Sequence, residues 1–559
     1  MFERARTIGL TVALIAATAT GTARADAPAE DAVARTPKAR KARPARHKAA
    51  THETSPAEKQ AQEALEKANA ALAKAQEALA AARNAAGAAQ AASGQAAHAQ
   101  ASSSTAVKEV DSLKATLLPA PRPPNAKPEP FAFGDFTWVN GNSRQTDFPL
   151  DGKIFSGELR VDTVYTCAFN HPKDHSLVGS TNTLRADEFQ VSQFGVGGDF
   201  HYNNVRGRLL TQLGLYSTSQ PRNDPSSAVG QWQLDTAYRY VSEAYGGYHL
   251  DKWNGINVDI GIFMSYIGLF SYYNFDNWAY QMSYVSANTP WYFNGMRIQT
   301  FPTDRLKIEY WLVNGWQSYG KFSSGPGVGI QATYRPTEDW SFMTSDYFGH
   351  DTLGIGKRDR WHTDNSILHR YYKQKNKKRG VTQAAFSLTL DAGAENGGGV
   401  SGFKDDDPFA PQQYFLGFMF YNRVWFHQDK FAFTVGGGSI HNPGRYLVLV
   451  PAINAATAAS GAAPFFTANP GDDFKAWDGS IGLDYMPNQN LTHRLELVHR
   501  EANVPYFAGS GGITPQVASG VFENTGTPGS AATNFDGTPF VPDLRNHETR
   551  INYALLVKM

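Results

Sequence analysis

From residue 131 onward, apolar and polar positions alternate in short runs, and residues 305 to 316, RLKIEYWLVNGW, show the pattern clearly. In an extended segment Arg305, Lys307 and Glu309 share one face and Leu306, Ile308, Tyr310 and Leu312 the other, which is the period-2 signature of a strand with one buried face. The same alternation sets Gln231, Gln233, Asp235, Arg239 and Glu243 against Trp232, Leu234, Tyr238 and Tyr240. It sets Arg494, Glu496 and Arg500 against Leu495 and Leu497, and Glu548, Arg550, Asn552 and Lys558 against Ile551, Tyr553, Leu555 and Val557.

Sixteen strands are predicted, over 152–169, 186–201, 204–217, 231–249, 256–264, 281–299, 305–313, 327–335, 340–348, 367–373, 381–391, 412–425, 431–440, 476–485, 491–500 and 548–558. Strand 367–373 has the weakest pattern, and it is included because an even count returns the last strand to the side where the first begins. Short polar junctions (Tyr202-Asn203-Asn204, 250–255, 301–305, 335–339, 375–380, 427–430, 486–490) alternate with long Gly/Ser/Asn-rich stretches such as 170–185, 218–230, 265–280, 392–411, 441–475 and 502–547. Outer-membrane barrels have this asymmetry of short turns and long loops. A soluble sandwich would show the same alternation with its apolar face inward. The number of strands, and Tyr and Trp near strand ends, favour an all-β, antiparallel transmembrane β-barrel of about 16 strands with the apolar face outward.

The N-terminus agrees with export. Arg4 and Arg6 precede an apolar run from Ile8 to Ala19 and then Ala23-Arg24-Ala25, a secretory signal (1–25) with cleavage expected after Ala25. No later segment reaches 18 consecutive apolar residues, so an exported chain of this composition can enter a membrane only as a closed barrel, where every strand backbone group is paired. Residues 26–55 are Ala/Pro-rich and basic, and TPKARKARPARHK (36 to 48) has no acidic residue; a disordered spacer is expected, with electrostatic contact to the cell wall as the sharper alternative. In 56–118, Leu65, Leu72 and Leu79 recur every seventh residue with Ala61, Ala68, Ala75 and Ala82 between them, a heptad that predicts an Ala-rich coiled-coil helix and self-association. The stretch PAPRPPNAKPEP (119–130) is a stiff linker, and 131–559 is the barrel.

Composition narrows the chemistry. Aromatics are 13% of 559 residues and Gly numbers 51, which suits strands and turns. Only 18% of residues are charged and the net charge is +1, which argues against nucleic-acid binding. Cys167 is the single cysteine, so no internal disulfide is possible; on the apolar face of TVYTCAF it reads as a small buried hydrophobe. No Cys/His metal spacing, G-x-S-x-G or H-E-x-x-H occurs, so no cofactor, metal or catalytic residue is expected and the chain is not read as an enzyme.

Within 259–316, Gly261 to Phe263, Gly268, Pro290, Gly295, Arg297 and Asn314-Gly315-Trp316 resemble the OmpL-like β-barrel porin family of Gram-negative bacteria. The resemblance implies a porin-type barrel in the outer membrane. Two features depart from it: the chain ends LLVKM instead of on an aromatic residue, and the N-terminal extension is additional. That extension is similar in architecture to the periplasmic extensions of some trimeric sugar porins.

The expected function is an outer-membrane porin, a water-filled channel for passive diffusion of small hydrophilic solutes, carrying its coiled-coil extension in the periplasm. A structural anchor that ties the membrane to the cell wall, or an outer-membrane enzyme, are the alternatives. Expected partners are outer-membrane lipid and lipopolysaccharide, small polar solutes and, through the coiled coil, further copies of the chain, a trimer among the options. Candidate pore-lining residues are Glu158, Arg160, Asp162, Asp235, Arg239, Asp259, Arg305, Lys307, Glu309, Arg494, Glu496, Arg500 and Arg550, whose mixed signs argue against strong charge selectivity. Loop 265–280 either folds inward to narrow the pore or anchors at the membrane interface. KRDR (357 to 360) is expected in an outer loop, KNKKR (375 to 379) in a solvated turn, and Trp316 at the interface.

Overall fold

The computed structural model describes residues 129–221, 224–352, 357–374, 377–402, 409–443, 471–515 and 536–559, with isolated positions at 70, 73, 74, 76–78, 80, 355, 446 and 534. It divides into two units, Met1–Ser104 and Thr105–Met559. In the first, Ala70, Ala73, Lys74, Gln76, Glu77, Ala78 and Ala80 are helical. The signal, the basic segment, most of the heptad and the linker up to residue 128 lie outside the described residues.

The second unit contains β1 (Phe155–Ala168), β2 (Phe189–Tyr202), β3 (Val205–Thr211), β4 (Val241–Leu250), β5 (Ile256–Met264), β6 (Tyr292–Thr303), β7 (Leu306–Val313), β8 (Gly327–Tyr334) and β9 (Trp340–Gly349). It continues with β10 (Asp359–Lys373), β11 (Val381–Asn396), β12 (Tyr414–Phe426), β13 (Phe431–His441), β14 (Lys475–Asn488), β15 (Leu491–Ala502), β16 (Phe507–Ala508), β17 (Leu544–Arg545) and β18 (His547–Lys558). β1 to β15 and β18 close one antiparallel barrel of sixteen strands, sealed where β1 meets β18 from Arg160↔Lys558 to Ala168↔Arg550. Closure leaves no edge strand, so each wall strand has a hydrogen-bonded neighbour on both sides. β16 and β17 form a separate two-stranded sheet at the base of the last long loop.

The wall is polar inside and apolar outside. Phe189, Ile260, Tyr310, Leu312, Ile330, Leu390, Phe418, Phe433, Ile481, Leu483, Leu495, Leu497 and Tyr553 are exposed, while Asp162, Asp259, Glu309, Asp364, Asp391, Arg423, Arg494, Arg500 and Arg550 are buried. In β7, Leu306, Ile308, Tyr310 and Leu312 point outward, and Lys307, Glu309, Trp311 and Val313 point inward. A wall so arranged is matched to a hydrocarbon solvent. Among the described residues no helix is long and apolar enough to cross a membrane.

The two ends differ as expected. One end, the turn end, carries both barrel termini and short hairpins, including Asn203-Asn204, whose φ angles of 48° and 66° suit the tight two-residue turns that Asn tolerates. The opposite, loop end carries the long connections 169–188, 212–240, 265–291, 314–326, 350–358, 397–413, 442–474 and 503–546.

Several expected elements differ. The third strand stops at Thr211 and the fourth starts only at Val241; Leu234–Tyr238 is a short helix, so Asp235 and Arg239 sit in a loop instead of on the wall. An isolated alternating stretch can satisfy a strand pattern without a neighbour to pair with, and here the pairing ends first. The sixth strand begins at Tyr292, because 265–291 forms one long loop. The weakest predicted strand is one of the longest, Asp359–Lys373: Thr363 and Asn365 on its outer face blur the alternation, while its pairing with β9 and β11 is continuous over Arg360–His369. Cys167 lies on the outer face and is half-buried, not in a core. Trp316 turns inward, its ring 4.8 Å from that of His362, and Arg358 and Arg360 of KRDR are buried, with Arg360 paired to Glu395 at 2.7 Å. Lys377, Lys378 and Arg379 are exposed in the turn.

Candidate channel interior

Loop 265–291 leaves β5, enters the barrel and crosses to the opposite wall; from Tyr272 to Ser286 every residue is buried. Its base is fixed by aromatic packing. Tyr266 stacks on Trp311 at 4.7 Å and packs with Phe263, Phe293 and Tyr347, and its hydroxyl donates to the Asp346 carbonyl at 3.1 Å. Gly329 permits this approach, since a Cβ there would lie 1.7 Å from the Tyr266 hydroxyl.

The far part of the loop is held by charges of the β1, β12, β14, β15 and β18 wall. Tyr280 and Gln281 donate their backbone N–H groups to the Glu496 carboxylate at 2.9 Å each. Ser283 Oγ and the Tyr284 N–H donate to Asp478 at 2.8 and 2.9 Å. Asn274 Nδ2 and the Tyr280 hydroxyl donate to the two oxygens of Asp162, both at 2.8 Å. Arg160 pairs with Asp276 at 2.9 Å, Arg494 donates to the Asn277 carbonyl at 2.6 Å, and Arg423 to the Trp278 carbonyl at 3.1 Å. Arg500 sits over the Tyr284 ring at 4.5 Å, and Arg550 bonds to Gln281. On the β3–β4 side the hydroxyls of Tyr272 and Tyr273 donate to Gln212 (2.5 Å) and Glu243 (2.7 Å). Burial pushes the phenols of Tyr272, Tyr273 and Tyr280 well above their ordinary range, so they act as neutral donors.

A second segment, Phe131 to Asp147, lies across the turn-end mouth before β1 begins. The Phe131 N–H donates to the Asp304 carbonyl at 2.7 Å. Trp138, fully buried, donates its indole N–H to Glu338 O at 3.0 Å in the β8–β9 turn. Arg144 and Gln145 donate to the carbonyls of Leu491 (2.8 Å) and Lys558 (2.9 Å). The segment also grips the loop: the Trp278 N–H donates to Asn140 Oδ1 at 2.8 Å, its indole to the Trp138 carbonyl at 3.1 Å, and the Gly141 N–H to the Asp276 carbonyl at 3.1 Å.

Among the described residues, a cavity of about 810 Å³ lies beside the β3–β10 wall. Its wall side includes Arg206, His249, Asn257, Lys307, Thr333 and Arg335; its inner side is Val139 to Asn142, Met264 to Tyr266 and Gly268 to Tyr272. The thirteen candidate lining residues therefore fall into groups. Lys307 lines this cavity and pairs with the buried Glu309, while the buried Asp259 pairs with Arg206 and Arg297. Arg160, Asp162, Arg494, Glu496, Arg500 and Arg550 face inward and hold the loop. Glu158 bridges Arg160 and Arg208. Asp235 and Arg239 are in the loop at 212–240, and Arg305 is exposed in the β6–β7 turn, packed over Phe133 at 4.6 Å. Alternation places Arg305 on the wall only when it is extended one residue into the turn, where it no longer applies. Sequence reasoning missed Arg206, Arg297 and Arg335 and the wall charges Arg423, Asp478 and Asp484. VRGRLLT and the alternation of β14 carried a signal for most of these; the Trp138 segment carried none. Among the described residues no group of three or more His, Cys, Asp or Glu side chains is placed to hold a metal.

A closed sixteen-stranded wall, apolar outside and charged inside, with one loop folded into its lumen, defines a transmembrane β-barrel of porin type. The chain belongs to the family described as "Putative beta-barrel porin-2, OmpL-like", whose model matches residues 155–525, and its place is the outer membrane of a Gram-negative bacterium. Solved structures similar to it include OmpT of Vibrio cholerae (7% identity, TM-score 0.40, 72% of this chain and 97% of that one) and OprB of Pseudomonas putida (11%, 0.40, 72% and 94%). An anion-selective porin from Comamonas acidovorans is a third (9%, 0.39, 72% and 99%). Similarity at this level identifies neither a solute nor the role of any residue. No curated protein matches the chain.

Proposed function

We propose that the protein is a narrow diffusion channel for small hydrophilic solutes, with the path running along the β3–β10 wall and the opposite half of the lumen filled by loop 265–291. The observation that carries this reading is the 810 Å³ cavity, lined by charged, polar and apolar side chains, between that wall, the loop and the Phe131–Asp147 segment, inside a barrel whose outer face is apolar. Water and polar solutes are stabilised there by side chains such as Arg206, Asn257, Lys307, Thr333 and Arg335. The loop's contacts make it a fixed constriction, so the unit conductance is expected to be small for a sixteen-stranded barrel. The turn end is taken as periplasmic, which places the N-terminal extension in the periplasm, and the heptad is assigned to self-association and the basic segment to cell-wall contact. No catalytic role is assigned. Discrete channel steps from pure, folded, full-length protein in planar bilayers are the expected result; their absence would defeat the reading.

A further inference from the structure

The cations and the carboxylates around the open cavity are not equally presented to it. Arg206 and Arg297 both pair with Asp259, at 3.3 and 2.8 Å, and Lys307 pairs with Glu309 at 2.7 Å. The arginine side chains keep 27% and 13% of their surface exposed while Asp259 keeps none; Lys307 keeps 22% and Glu309 4%. Arg206 and Lys307 thus line the cavity in front of two buried carboxylates, and Arg297 adds a third cation beside Asp259. Arg335 adds a fourth, bonded to Ser341 Oγ at 3.3 Å and lying over Phe131 and Phe136 at 4.7 and 4.5 Å. The remaining cavity wall from β8 to β10 is neutral, Gln331, Thr333, Ser341, Met343 and Leu368, and Glu129 lies at the exposed rim. The acids of the β8–β9 turn region, Asp135, Glu338 and Asp339, face Arg370 and Lys373.

We propose that this cavity selects small anions, with Arg206, Lys307 and Arg335 as the selectivity-determining side chains. The proposal rests on the channel reading above and names its solute class. Four cations against three carboxylates, Glu129 at the rim included, leave an excess of one positive charge, held by low-dielectric walls that focus the field into the path. The other wall charges are engaged elsewhere: Glu158, Asp199 and Glu243 pair with Arg208, and those of β15 and β18 hold loop 265–291. Charge presentation, not the overall mixture of signs, sets the selectivity.

The test is the reversal potential of the full-length protein in a planar bilayer under a potassium chloride gradient. A chloride-over-potassium permeability ratio of about five at 0.1 M salt is expected, falling toward one at 1 M as screening shortens to about 3 Å. The double substitution Arg206→Gln with Lys307→Gln is expected to lower the ratio at least twofold, and Lys377→Gln with Lys378→Gln, in the exposed β10–β11 turn, to leave it unchanged. Channel steps with a wild-type ratio at or below one overturn the anion proposal and leave the channel reading standing. Absence of steps overturns the channel reading and this proposal with it. If the double variant does not fold, the wild-type ratio decides alone.

Discussion

Replacing Glu496 by Leu tests whether the constriction loop is fixed by the wall. The side chains are close in size, but leucine offers no acceptor to the Tyr280 and Gln281 N–H groups, each 2.9 Å from the carboxylate, or to Asn552 Nδ2 at 3.1 Å. Leaving a buried donor unsatisfied costs about 1–3 kcal/mol, so two backbone donors make the local cost about 2–6 kcal/mol. That cost falls on the loop, because the barrel ladder does not use this side chain. Local opening at Tyr280 and Gln281 is expected to become about 30-fold more frequent at the lower bound, since 1.4 kcal/mol is a factor of ten. Hydrogen exchange of a peptide covering residues 278–284 in detergent-folded protein measures this directly, with a β11 peptide as internal reference. A rise in single-channel conductance should accompany it. Exchange at 278–284 that matches wild type would refute the claim that Glu496 pins the loop.

Trp138→Ala empties a fully buried site between the loop and the turn end; the loss is about 3–5 kcal/mol of local packing, read as larger and noisier current steps with an unchanged barrel circular dichroism spectrum. Gly329→Ala places a Cβ 1.7 Å from the Tyr266 hydroxyl, and overpacking of this kind costs about 1–3 kcal/mol, measured as a lower urea midpoint for folding in micelles. Ile481→Arg, on the exposed outer face, should destabilise insertion by about 2–4 kcal/mol, whereas a soluble protein would tolerate it. Deleting residues 26–128 is expected to keep conductance and abolish self-association and wall co-sedimentation; an unchanged oligomer size after deletion refutes self-association through the heptad.

The barrel was largely legible because lipid reverses the usual burial rule without disturbing its period. β7, β15 and β18 could be read with their faces assigned, since each alternates cleanly. The errors lie where pairing, which is non-local, overrides pattern: 231–240 alternates yet forms no strand ladder and turns helical over Leu234–Tyr238, and β10 pairs fully although Thr363 and Asn365 interrupt its outer face. Inward orientation of Asp162, Arg494 and Glu496 was readable from period alone. That they hold a loop instead of facing open water was not, because their partners, Asn274, Asn277, Tyr280 and Gln281, lie more than a hundred residues away in sequence and meet them only once the loop folds inward. The Phe131–Asp147 segment has no periodicity, and its place in the mouth follows from single contacts of Trp138, Arg144 and Gln145.

Thiol accessibility during channel recording probes the solute path itself, which is assigned to the β3–β10 side of a barrel filled on its other side. In a Cys167→Ser background, Thr333→Cys lines the cavity and Ala554→Cys lies fully buried on the inner face of β18. A bulky, water-soluble, anionic thiol reagent is predicted to reduce the current through the Thr333→Cys channel and leave the Ala554→Cys channel unchanged. Block at Ala554→Cys with no effect at Thr333→Cys would place the path on the opposite side and contradict this assignment.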